Sequence, residues 1–421
     1  MQGHAVGGTV AGLVGDQLVL QNNATDALTI TDEGTFSFAS AVAEGADYDV
    51  TVLTQPKNPS QACLVANGSG TMGTQDVTDI DVTCTTNSFT VGGFVGGLLG
   101  SGLVLQNNGG DDVPMASDGS FTFATPVLSG QPFNVTVLSQ PVSPEQICTV
   151  DPGTGTVGDA DVDVLVDCAL IDTDNDGVPD ISDPFPGDGT KPVTGLANTV
   201  YAHTSTTLFT MDVTSYAITT VGAFHGSGYS GQMTDIAIDR YGVLYGVTFN
   251  NLYVCDATTA ECFELASLPQ SFNGLTLVPR GTIDPVQDAL VGIANTGDWY
   301  RVTLTGAQQA QLTGIGAYGS GYTSAGDAFS ISGVGTFASV NVPGQVWNAI
   351  VRVEPTNGTA LSELGTLTGY SEVWGLAGWQ GAIFAFDAGG DVLLIDPNTA
   401  AVQVIQQTSN AWWGAGVTTR M

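Results

Sequence analysis

An all-β fold is what this sequence predicts, on three observations. Val and Thr recur in short alternating runs punctuated by 56 glycines, a texture of strands and turns. The first half repeats itself almost literally. The second half carries a different, longer repeat. A chain of 421 residues accommodates about two to four domains. Its 41 Asp and Glu against 7 Lys and Arg, a formal net charge of −34, disfavour binding to nucleic-acid phosphates or anionic lipid. No apolar run approaches the ~20 residues of a membrane span. Met1-Gln-Gly-His leads straight into the first strand pattern, so no signal peptide is read here, and an exported protein would be in its mature form.

The duplication is visible residue by residue. Val6-Gly-Gly-Thr-Val-Ala-Gly-Leu recurs as Val91-Gly-Gly-Phe-Val-Gly-Gly-Leu, and Leu18-Val-Leu-Gln-Asn-Asn as Leu103-Val-Leu-Gln-Asn-Asn. Tyr48-Asp-Val-Thr-Val-Leu-Thr-Gln-Pro matches Phe133-Asn-Val-Thr-Val-Leu-Ser-Gln-Pro. Each copy reads as about seven strands with period-2 alternation. Ile80, Val82 and Cys84 share one face, as do Val164, Val166 and Cys168, so the last cysteine of each copy points inward. Six cysteines allow fifteen pairings, but the duplication narrows the choice. Cys63 with Cys84, Cys148 with Cys168, and Cys255 with Cys262 are expected, in an oxidising compartment. Two tandem β-sandwiches follow, at residues 1–86 and 87–169. These units resemble the immunoglobulin-like or transthyretin-like modules of bacterial surface proteins, which implies a spacer role.

Between the halves lies an acidic stretch, placed as a linker at 170–194. Asp172, Asp174, Asp176, Asp180 and Asp183 occupy positions 1, 3, 5, 9 and 12 of a twelve-residue loop, with Gly177 at the sharp turn and the Val178 carbonyl at position 7. That spacing wraps oxygen ligands around one Ca²⁺. Pro179, Pro184 and Pro186 argue against flanking helices. The stretch resembles a thrombospondin type 3 repeat, a helix-free calcium loop of extracellular proteins, although Phe185 stands near where that repeat carries a cysteine.

From residue 195 to 421 the period changes. Leu208-Phe-Thr-Met-Asp, Leu252-Tyr-Val-Cys-Asp, Trp299-Tyr-Arg-Val-Thr, Ile350-Val-Arg-Val-Glu and Val392-Leu-Leu-Ile-Asp recur at roughly 40–50 residues, the period of four-stranded propeller blades. The first blade lacks an inner strand, and Trp412-Trp-Gly-Ala-Gly-Val-Thr can supply it. Closing the ring this way removes an exposed edge. The expectation is a five-bladed β-propeller closed by the C-terminal strand, or six blades if the longest interval hides another. The texture resembles bacterial propellers with Leu-Tyr-x-Ile-Asp-x-x-Thr blades.

One feature repeats before the inner strands: Gly228-Tyr-Ser, Gly321-Tyr-Thr and Gly369-Tyr-Ser. Tyr229, Tyr322 and Tyr370, with Trp374 and Trp413, form a candidate ligand face for sugar or peptide. Asp235, Asn273 and Asp327 begin inner strands and are candidates for the tunnel mouth. Aromatic wedging between blades is the competing reading. Gly314-Ile-Gly-Ala-Tyr-Gly satisfies a glycine-rich nucleotide pattern but is read as a loop, since no helix follows. His4, His203 and His225 are assigned surface or structural roles. With no catalytic signature, the leading expectation is a non-enzymatic, calcium-stabilised structural or adhesive protein, extracellular or at a cell surface, which could self-associate. A glycan- or peptide-binding propeller, and a propeller hydrolase or lyase, are the alternatives.

Overall fold

The computed structural model describes residues 2–305 and 308–420, and among them there is no helix. The chain divides into two compact units, Met1–Leu170 and Ile171–Met421.

The first unit repeats one arrangement twice. In the first copy, Gly34–Ser37, Val6–Ala11, Val77–Thr86 and Gln61–Ala66 form one four-stranded sheet; Asp26–Ile30, Leu18–Asn22, Asp47–Thr54 and Ser69–Thr71 form another. Val6, Val10, Ile80 and Val82 from one sheet and Leu18, Leu20 and Val50 from the other bury into a single core. The second copy matches it, with Val91–Gly96 and Val162–Leu170 central to one sheet and Leu103–Asn107 and Pro132–Ser139 central to the other. The first and last strands of each copy pair in parallel, and their close approach explains the repeated Val-Gly-Gly. A Cβ on Gly8 would collide with the Ile80 carbonyl, and one on Gly93 with that of Val164.

One glutamine braces each copy in the same way. Gln61, buried, accepts from Val14 N and Gly15 N and donates to the Gly12 carbonyl; Gln146 does the same for Leu99, Gly100 and Gly97. Three disulfides form, Cys63–Cys84, Cys148–Cys168 and Cys255–Cys262, which suggests an oxidising environment. Cys63 and Cys84 are 21 residues apart, so replacing both with serine should cost the first unit about 3 kcal/mol in urea unfolding. The second unit's transition should not move.

Among its described residues the second unit contains five antiparallel sets of four strands, four of them consecutive meanders, with the second and third sets joined by a short parallel contact. Five strands lie side by side in a closed cycle: Asp235–Ile238, Gly274–Val278, Thr323–Ile331, Val373–Trp379 and Gly414–Gly416. The last pairs with Thr199–His203, completing the sheet that also holds Thr207–Asp212 and Ile218–Ala223. These axial strands are buried almost throughout, whereas outer strands such as Gln308–Ala317 and Val402–Gln407 are largely exposed. Continuous apolar runs therefore sit at the centre and polar ones at the rim.

The acid that recurs in the repeat makes the turn between the third and fourth strands. Asp212 Oδ1 accepts from Thr214 N and Ser215 N, Asp256 Oδ1 from Thr258 N and Thr259 N, and Asp396 Oδ1 from Asn398 N and Thr399 N. These are Asx turns, which a short carboxylate forms with its own backbone. One expectation is corrected here. Gly314–Ala317 is not a loop but the end of strand Gln308–Ala317, which pairs with Asp298–Leu304. The glycines admit a register shift at Trp299/Tyr300, and Gly316 has a φ of +148°.

Candidate functional site

Two places in the second unit concentrate polar groups: the acidic loop and the axis of the ring.

In the loop, short carboxylates fold the backbone around themselves. Asp172 accepts from Asn175 N at 2.8 Å and Gly177 N at 3.0 Å, with Gly177 at a φ of +95°, where a side chain would be strained. Asp176 Oδ1 accepts from Val178 N, and Asp183 Oδ1 from Phe185 N. Asp180 spends both oxygens on Thr173 N and Oγ1, each at 2.7 Å. One oxygen each of Asp172, Asp174 and Asp176 lies within 4.8 Å of the others.

Oδ2 of Asp174 and Oδ2 of Asp183 are buried without a hydrogen-bond partner, and Asp183 is only 7% exposed. Burial, reinforced by the charges of Asp176, Asp174 and Asp180, pushes Asp183 up to about 6 against the pull of Phe185 N–H. Buried acceptors lacking donors, set among converging carboxylates, fit a hard cation with oxygen ligands. Asp172, Asp174, Asp176 and Asp183 with the Val178 carbonyl would hold it, and Asp180 would brace the loop or act through water.

The loop is built onto the sheet beside it. Val178 buries against Val243 and Val254, and the Phe185 ring meets Phe263 edge-on at 5.2 Å. The Tyr245 hydroxyl donates to the Ser182 carbonyl at 3.4 Å. Phe185, at the position where the resembling repeat has cysteine, anchors the loop by packing.

At the axis, two carboxylates join all five strands. Asp235 accepts from Ile236 N on its own strand and from Leu275 N on the next at 2.6 Å. Asp327 Oδ2 accepts from Leu376 N at 2.6 Å and Ala415 N at 3.2 Å. Asp327 Oδ1 is buried with no hydrogen-bond partner. Both carboxyl groups are fully buried. Burial raises both, and the Asp327 charge raises Asp235 further.

His203 lies beside them, its Nε2 3.9 Å from Asp235 Oδ1 and its Nδ1 2.9 Å from the Thr204 carbonyl. Burial lowers it to about 4, so the ring is neutral and donates from Nδ1. A Cβ on Gly414 would strike both His203 and Asp235, which explains a glycine in the closing strand. Away from this pair, Asp288 accepts from Arg240 N, Arg280 N and Thr419 Oγ1, a second tie across the ring.

A cavity of about 320 Å³ opens among the lead-ins and starts of the axial strands, lined by Thr234, Asn273, Ser324, Trp374 and Trp413, with Phe249 and Asn295 from neighbouring loops. The two indoles meet at 5.8 Å and 85°. Trp374 and Trp413 thus come together as the sequence grouped them, while Asp235 and Asp327 are sealed in the core. The tyrosines are placed elsewhere. Tyr229 packs between Phe224 and Tyr253, the Tyr322 hydroxyl donates to Glu363, and the Tyr370 hydroxyl donates to Asp391. Sequence reasoning missed Asn295 and Phe249, neither of which belongs to a repeated motif, and His203, read as surface or structural, is buried beside Asp235.

No family model matches the chain, and no curated protein matches it. Solved structures with similar folds include the hydrazine synthase of Kuenenia stuttgartiensis, at 13% identity over 51% of this chain and 65% of that one, with a TM-score of 0.31. A symmetrical protein from a study of de novo evolutionary emergence matches at 14% identity over 53% of this chain and all of its own, with a TM-score of 0.35. The Dos1 propeller matches at 14% over 50% and 59%, with a TM-score of 0.29. The all-β chain therefore has a propeller among its structural neighbours.

Proposed function

We propose that this is a non-enzymatic, calcium-stabilised extracellular protein of structural or adhesive type. Two tandem sandwiches of immunoglobulin-like or transthyretin-like kind precede a thrombospondin type 3-like calcium loop and a five-bladed propeller, which is presented at a cell surface or in a self-assembled fibre. The observation that carries the calcium assignment is Asp183, 7% exposed, whose Oδ2 has no donor and which feels the charges of Asp176, Asp174 and Asp180. Local disulfides and a cation loop suit an oxidising, calcium-rich exterior. The closed cycle of five axial strands supports the propeller reading. The one buried acid pair is engaged by backbone amides and sealed from solvent, an arrangement suited to holding strands and not to hydrolysis.

Electron microscopy and sedimentation of the purified chain, with calcium and after chelation, test the assembly role. Calcium-dependent homotypic assemblies are expected. A monomer under both conditions at every concentration would overturn the fibre reading.

A further inference from the structure

We infer that the axial cavity binds a neutral saccharide, one sugar ring seated in the corner formed by Trp374 and Trp413. The inference is independent of the calcium loop.

The corner is made by the ring itself. Each axial strand or its lead-in contributes one wall, and the indoles stand nearly perpendicular at 5.8 Å. A pyranose offers C–H faces to aromatic surfaces and hydroxyls around its edge, so two indoles at right angles can hold a face and an edge together. Phe249, 43% exposed, adds a third aromatic. At about 320 Å³ the cavity is at the small end of ligand sites, enough for one or two sugar rings.

Polarity narrows the class. No lining residue is ionisable. Asn273, in the cavity wall, holds a buried side-chain oxygen with no donor, which a ligand O–H or N–H would satisfy. The hydroxyls of Thr234 and Ser324 already donate to the carbonyls of Val247, Phe272 and Gly326, and what remains to them is accepting. A ligand rich in donors, uncharged and with an apolar face satisfies all three. A uronate or sialic acid would find no cation in the lining and an unfavourable field from a chain of net charge −34.

The test uses the intact chain with glucose, galactose, mannose, N-acetylglucosamine and their β1,4-linked dimers, with glucuronic acid and short aromatic peptides as comparators. Binding is read on an array and by tryptophan emission. At least one neutral sugar should give a saturable emission change, and the comparators none. Trp413→Ala and Asn273→Ala should each weaken that binding by about tenfold at an unchanged melting temperature. Trp379→Phe, away from the cavity, should bind as the parent does. No neutral sugar binding, binding of the uronate or peptides instead, or full binding by both the Trp413 and Asn273 variants would overturn the inference.

Discussion

Replacing Asp327 with alanine is expected to lower the unfolding free energy of the second unit by about 3–5 kcal/mol, the scale for stripping partners from buried polar groups. The variant would leave the Leu376 and Ala415 amides without their acceptor. Urea unfolding followed by tryptophan emission reads the loss; a change under about 1 kcal/mol would mean the carboxylate is not the tie described.

Asp235→Asn makes the complementary test, because an amide does not titrate. The sign follows from the raised folded-state value of Asp235. Its contribution is fully present below the unfolded carboxylate value, near 4, and is lost as pH rises toward the folded value. The parent should therefore lose up to about 1.4 kcal/mol per pH unit relative to Asp235→Asn across that window. The variant becomes the more stable of the two in alkaline solution. Parallel pH profiles would show that burial does not raise Asp235 in the folded state.

The second large effect is expected from calcium. At a hundred times its dissociation constant a ligand of the native state adds about 2.7 kcal/mol, or roughly 5–10 °C in the melting temperature of a unit this size. Chelation should remove that increment from the second unit alone. Asp183→Asn separates metal binding from packing: in chelator it should be at least as stable as the parent, since a buried charge facing Asp174 and Asp176 is gone. In calcium it should be less stable, with its melting point no longer responding to the ion. If Asp183→Asn and the parent respond alike to calcium, the ion is not held by this loop.

Much of this architecture was legible because it is written locally. The duplicated Val-Gly-Gly and Leu-Val-Leu-Gln-Asn-Asn stretches announce two copies, and inward alternation around Cys84 and Cys168 foretells their partners. Asp212, Asp256 and Asp396, each after a third strand, mark turns because the carboxylate bonds amides two and three residues on. The axial tie is different in kind. Asp235 and Asp327 lie far apart in sequence, and each reads as the start of a strand at an opening. Asp235 does begin Asp235–Ile238, but Asp327 lies in the middle of Thr323–Ile331, and their burial side by side exists only once five strands have met. The three Gly-Tyr motifs mislead similarly: identical neighbours do not show that a ring's hydroxyl will be taken by Glu363 or Asp391.

The pairing of Gly414–Gly416 with Thr199–His203 joins segments more than 200 residues apart, and of the unit's strands the ribosome releases the latch last. Until then the Thr199–His203 strand has one unpaired edge, and the tether that links it to its own last strand keeps that strand at a high local concentration, which favours closure within the chain.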